Sequence, residues 1–199
     1  MDINQPTRNE FTVSIRKIYV LSLIFLLFNA VIFLLPYIMI WGESFFAAFR
    51  YYVLNRKYQW DSAFFYLLVL RDLFRISIFI IIGAAMHELL HAAVWIFFTK
   101  KGIRSIRFGI SESDFSPYVH CKEPLQVWVY RLSIVLPGLV LGIIPAIWAI
   151  FTGRLWLLMF GLFFSWAASG DFIIFYLIRN LKKNILVCDH PQKVGCYIK

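Results

Sequence analysis

Apolar residues along this chain come in long unbroken runs separated by short clusters of charge, without the alternation of a half-buried strand or the one-sided stripe of a soluble amphipathic helix. Four runs, Ile18 to Trp41, Ile76 to Phe98, Leu132 to Phe151 and Leu155 to Ile178, each reach the roughly 20 residues a helix needs to cross about 30 Å of hydrocarbon. They predict four transmembrane helices at about 18–41, 76–98, 132–151 and 155–178. The fold class is an all-α polytopic membrane protein, read as a single integral membrane domain over residues 1–199.

Shorter patterns add detail. The run from Ala63 to Leu70 is too short to span and is set off by Arg71, Asp72 and Arg75, so it predicts a short interfacial helix, or a re-entrant piece, before the second span. After that span, Ile103 to Ile110 partly alternate between apolar and polar, predicting a small β-hairpin. Its ordinary reading is structural, although a free strand edge could also take up an extended peptide by strand addition. Pro137, Gly138, Gly142 and Pro145 predict a kink in the third span. The first run, about 24 residues with no A-x-A pattern after it, exceeds the roughly 7–15 residues of a signal-peptide core and reads as a retained anchor.

Composition agrees with the pattern: 61% of the 199 residues are apolar and 16% charged, where soluble domains hold roughly 45–50% apolar residues. The net charge of +9 does not signal nucleic acid, because the basic residues cluster between apolar runs and form no interleaved basic and aromatic surface. Topology explains them. Fourteen of the 20 Lys and Arg fall before the first span, between the second and third, and after the fourth. By the positive-inside rule both termini and the loop from Thr99 to Arg131 are cytoplasmic. Cys121, Cys188 and Cys196 have no paired spacing and read as free thiols.

The candidate chemistry lies on the second span. His87, Glu88 and His91 form H-E-x-x-H among apolar helix formers. Spacing of i and i+4 stacks both imidazoles on one helix face, able to share a metal ion, with Glu88 beside them as general base. Ionisable groups inside a bilayer are costly without a partner, and one Zn2+ per chain is such a partner. A catalytic zinc has three protein ligands. The four spans hold only two acids, Glu88 and Asp171, and Asp171 follows Ser169 and Gly170 on the fourth span.

The two sites stand at matching depth. His91 and Asp171 lie about 13 Å and 12 Å from the cytoplasmic ends of helices running the same way, at 1.5 Å per residue. Small residues from Ala167 to Gly170 would allow close approach. Asp171 is thus the expected third ligand, with a helix-cap or proton-relay role as its alternative. His120 and Cys121, in the loop, are rival ligands, and Ser169 is a further candidate beside the site. His190, beside Pro191, reads as a surface residue.

H-E-x-x-H on one membrane helix and an Asp beside a Gly on a later one resemble the site-2-protease-like intramembrane zinc metalloproteases. A closer likeness is to a small bacterial family of membrane zincin peptidases. It rests on His87 to His91, Tyr118 to Pro124 followed by Leu136 and Pro137, Ser169 to Asp171, and the ending Asp189, His190, Pro191 and Gly195. One departure stands: site-2 proteases usually show Asp then Gly, whereas Gly170 precedes Asp171.

The resemblance implies a zinc metalloendopeptidase of the bacterial plasma membrane, cleaving membrane proteins or membrane-proximal peptides. Any substrate filter would come from an accessory or regulatory membrane protein. Two readings from other classes remain beside it: a non-catalytic zinc-binding scaffold, sensor or inactive protease relative, and a polar cluster that only joins helices.

Overall fold

The computed structural model describes residues 10–57, 63–110, 117–190 and 193–199. The first helical pass is α1 (Ile15–Asn29) and α2 (Leu35–Lys57), joined without a break by a π-helical turn at Ala30–Leu34. The second is α3 (Ala63–Phe98). The third is α4 (Val127–Pro137) and α5 (Ile144–Thr152) around a π-helical stretch at Gly138–Ile143, and the fourth is α6 (Leu155–Ala167) and α7 (Ser169–Ile178). Among the described residues, two stretches, Arg16–Tyr51 and Val127–Thr152, are long and apolar enough to cross a membrane, or three if the bent pair α6–α7 is one span.

Three expectations are corrected. The run from Ala63 to Leu70 is no separate interfacial helix: it continues into the second span within the 36 residues of α3. No Pro or Gly stands between Ala63 and Ile82, and Arg71, Asp72 and Arg75 do not themselves end a helix. The fourth run is not straight, because it bends by 46° between α6 and α7. Nor is the fold all-α with one hairpin.

The predicted hairpin exists, β2 (Ile106–Ile110) antiparallel to β3 (Pro117–Cys121). A second, four-stranded sheet stands beside it. β1 (Glu10–Val13), β4 (Leu125–Gln126), β5 (Leu186–Asp189) and β6 (Val194–Ile198) pair in the order β1-β6-β5-β4. These strands are two to five residues long, too short for periodicity to reveal, and their partners lie far apart in the chain. The sheet gathers the segment before α1, the segment before α4 and the C-terminal hairpin at one end of the helices.

Where the sequence predicts a kink, the third pass carries the π-helical stretch Gly138–Ile143 and runs on as one apolar helical stretch from Val127 to Thr152. There Gly142 and Gly161 let α6 cross closely: a Cβ on Gly142 would stand 2.6 Å from the Cα of Ser165, and one on Gly161 2.5 Å from the backbone nitrogen of Ala146. At the end of α5, Gly153 adopts φ +67°, the left-handed C-terminal cap that glycine takes without strain. Tyr37 and Trp41 donate to the carbonyls of Gly153 and Ile150, at 2.6 and 2.8 Å, tying α2 to that end.

Two cores result. One, around Phe33, Tyr37, Ala146, Ala149 and Leu158, joins the first, third and fourth passes. The other packs α3, α4 and α7 against both sheets through Trp95, Val119, Tyr130, Ile174 and Val187. Large apolar side chains also face outward on each pass, among them Met39, Ile81, Phe151 and Tyr176.

Candidate metal centre

The i, i+4 spacing on α3 brings the Nε2 atoms of His87 and His91 to 3.2 Å from one another. The Oδ2 atom of Asp171 lies 3.0 Å from Nε2 of His87 and 3.6 Å from Nε2 of His91. Asp171 reaches them from the first turn of α7, just past the bend. No side-chain cap hydrogen bond is made at Ala168, the residue preceding that helix.

Gly170 does not create this approach, since a Cβ there would meet nothing within 4 Å. The close contact is made on α3 instead, where a Cβ on Gly83 would run into the ring of Phe164 on α6. Ser22 of α1 and Ser169 of α7 share a hydrogen bond of 2.6 Å, and Ser165 donates to Asn29 at 2.8 Å, so α1 braces the bent pair. Ser169 thus faces α1.

The orientation of His91 is set from behind. Its Nδ1 lies 3.0 Å from the carbonyl oxygen of Ser133, which can only accept. Nδ1 therefore carries the hydrogen, and in the neutral ring Nε2 keeps its lone pair toward His87 and Asp171. The Ser133 hydroxyl accepts from Nε1 of Trp95 at 2.8 Å and donates to the carbonyl of Tyr130 at 2.7 Å. Trp95 stacks on His91 and Tyr130 on Trp95, at centroid distances of 5.8 and 6.4 Å.

Glu88 is placed by the hairpin: its Oε2 accepts the N–H of Val119 on β3 at 2.9 Å. Donor atoms of His87, Glu88 and His91 all lie within 4.8 Å of one another, a group able to hold a metal ion. Asp171 adds a carboxylate to the two imidazoles. A tetrahedral zinc at about 2.0–2.1 Å from its ligands separates neighbouring ligand atoms by about 3.3 Å. The separations of 3.0, 3.2 and 3.6 Å match that spacing. The chemistry fits as well, because two imidazole nitrogens and a carboxylate oxygen form a donor set that suits zinc.

His120 is not brought into this group. Its Nδ1 stands 2.8 Å from Oδ2 of Asp189, whose Oδ1 accepts the Tyr130 hydroxyl at 3.0 Å. Cys121 is buried and donates to the carbonyl of Glu123, and burial pushes its thiol up to about 11. Glu123 clamps the turn after α3: the Ser105 hydroxyl and the N–H groups of Lys100 and Lys101 hold its carboxyl below the ordinary glutamate value. His190 accepts the N–H of Lys193 in the C-terminal hairpin. Motif reading missed Val119, Ser133, Tyr130 and the pairing of Asp189 with His120. The signal that touched them was the likeness carried by Tyr118 to Pro124 and by Asp189, which gave those residues no contact with the site.

Residues 80–186, more than half the chain, match the family described as "Putative zincin peptidase". The chain belongs to that family, and the matched stretch contains His87, Glu88, His91 and Asp171. No curated protein and no solved structure matches it. Family and donor set together support a zinc metallopeptidase.

Proposed function

We propose that the protein is a membrane-embedded zinc endopeptidase of the site-2-protease type, with zinc held by His87, His91 and Asp171. It hydrolyses peptide bonds of membrane or membrane-proximal proteins. The observation that carries this reading is the convergence of one carboxylate and two imidazole nitrogens within 3.0–3.6 Å, with the Glu88 carboxylate adjoining them.

Bound zinc supplies Lewis acidity toward a substrate carbonyl and brings the pKa of a water down to about 7. Glu88 takes that water's proton as the oxygen attacks the carbonyl carbon, then hands it to the leaving amine. The Val119 N–H holds Glu88 through Oε2, leaving Oε1 for the water. Ser133 and Asp171 keep the imidazoles facing inward. A helical substrate hides its carbonyls in backbone hydrogen bonds, so the scissile segment must unwind or arrive extended.

All four helical passes are read as spans, with both termini cytoplasmic in a bacterial plasma membrane. The terminal sheet supports this reading, since β1, β4, β5 and β6 must share one side, as does the excess of Lys and Arg in the segments it gathers. The site then lies in the cytoplasmic half of the bilayer.

The test pairs metal analysis with cleavage of fluorescein-labelled casein by the purified full-length protein in lipid nanodiscs. The expected result is one zinc per chain in wild type and Glu88→Gln, with cleavage reduced by at least about 100-fold in the variant. Zinc retained with no wild-type cleavage points to a non-catalytic zinc protein, and undiminished cleavage by Glu88→Gln rejects the assigned base.

A further inference from the structure

At the sheet-bearing end of the helices, α4 and α7 gather positive charge that the metal centre does not use. Between Glu123 and Asp171, and again between Asp171 and Asp189, the chain holds no acid. Arg131 of α4 donates to the carbonyls of Ile178 and Leu181, where α7 ends. The N–H of Trp128 donates to the carbonyl of Lys183 at 3.3 Å, and that of Val127 to the carbonyl of Ile185 at 2.9 Å. The segment after α7 is thus laid against the first turns of α4, with Arg179, Lys182 and Lys183 exposed on it.

Nothing in the chain neutralises these cations. The described acids on this side are engaged elsewhere: Glu10 with Lys193 at 2.9 Å, Glu123 with the Ser105 hydroxyl at 2.6 Å, and Asp189 with His120 at 2.8 Å. Among the described residues Arg179, Lys182 and Lys183 form no ion pair. Arg131 meets carbonyls, which carry only partial charge. On α1, held beside α7 by the 2.6 Å hydrogen bond of Ser22 with Ser169, Arg16 and Lys17 are exposed roughly one and a half turns before Ser22. They add two charges at the same end.

Apolar surface adjoins the charge. Phe175, Tyr176 and Leu177 are exposed just before Arg179, whose guanidinium lies 3.6 Å over the centroid of the Tyr176 ring. Trp128 is exposed beside Lys183. Tyr and Trp are the side chains that settle at a membrane boundary. A soluble polyanion would use the cations alone, whereas a phospholipid uses both surfaces, its phosphate on the cations and its acyl chains along the apolar side chains.

We propose that this end of α7, with the start of α4, is a binding site for an anionic phospholipid, its phosphate held by Arg179, Lys182 and Lys183. The site rests on the reading of the passes as membrane spans, and is independent of the peptidase activity.

Full-length protein in nanodiscs of equal parts phosphatidylglycerol and phosphatidylcholine is released into mild detergent, and the lipid it retains is counted by mass spectrometry. Wild type is expected to retain phosphatidylglycerol over phosphatidylcholine by at least about tenfold. The triple variant Arg179→Gln, Lys182→Gln, Lys183→Gln brings that ratio to within about twofold of one, and Lys182→Gln with Lys183→Gln, which spares the Arg179 contact with Tyr176, lowers it at least about fivefold. A charge-matched variant at the end of α3, Lys100→Gln, Lys101→Gln, Arg104→Gln, keeps the wild-type ratio.

No preference in wild type, or equal losses in the two triple variants, overturns the site. So does displacement of the lipid by 10-fold excess inorganic phosphate, which assigns the cations to free phosphate. Binding of a labelled poly-glutamate peptide in phosphatidylcholine nanodiscs, lost in the Arg179 triple variant, assigns them to an acidic protein instead. Protein that fails to enter nanodiscs overturns the spans themselves, and with them the site.

Discussion

The Asp171 carboxylate stands 3.0 Å from Nε2 of His87, although the two residues belong to different helical passes, and the 46° bend before α7 delivers it. Asp171→Ala is expected to weaken zinc binding by at least about 100-fold, the upper end of what loss of an outer-shell partner costs. Competition with a chromogenic zinc chelator measures it. Affinity equal to wild type would remove Asp171 from the ligand set.

Gly142 and Gly161 sit where backbones of the third and fourth passes nearly touch, while Gly170 faces open space. Gly142→Ala and Gly161→Ala should each destabilise by about 1–3 kcal/mol, the usual cost of overpacking. Gly170→Ala should be neutral or stabilise by up to about 1 kcal/mol, alanine being the better helix former. Thermal unfolding in nanodiscs decides, and the forecast fails if Gly170→Ala is the most damaging of the three.

Ser133 holds Trp95 with its hydroxyl and His91 with its backbone carbonyl. Ser133→Ala therefore strips the buried indole N–H of its acceptor and the Tyr130 carbonyl of the hydroxyl donor, leaving the His91 contact in place, at a cost of about 1–3 kcal/mol. Stability is expected to drop with zinc still bound, as read by unfolding and metal analysis on the same sample.

Burial pushes the Cys121 thiol up to about 11 and the Cys196 thiol up to about 12. Cys188 is only half-buried. At pH 8, N-ethylmaleimide should modify Cys188 first in the folded protein and reach the other two only on unfolding. Peptide mass spectrometry gives the order, and early modification of Cys196 would contradict it.

The Glu123 carboxyl is held below its ordinary value, chiefly by the Ser105 hydroxyl. A lowered folded value means that its stabilisation is present above about pH 4.3, the unfolded value, and fades as pH falls through the folded one. The stability gap between wild type and Glu123→Gln should therefore be open at neutral pH and close in acid. A gap independent of pH would show that the Glu123 charge contributes nothing.

The parts legible in the sequence depended on neighbours in the chain. Long apolar runs located all four helical passes because a lipid-facing helix must be apolar on every side. The pair His87 and His91 was legible because one helical turn makes i and i+4 neighbours whatever surrounds them. Asp171 was legible through scarcity, as the one other acid in the runs. Its bend was not, since Ser169 and Gly170 permit a break without requiring one.

Sequence by itself therefore determined the apolar passes and the turn that sets His87, Glu88 and His91 side by side, each a property of composition or of one helical turn. Tertiary structure alone decided the terminal sheet, the Val119 N–H on Glu88, the Ser133 carbonyl behind His91 and the pairing of His120 with Asp189. Those are contacts between backbone groups or distant side chains. Any residue offers the same N–H and C=O, so only the packing of α3, α4 and the two sheets could select which ones meet the site.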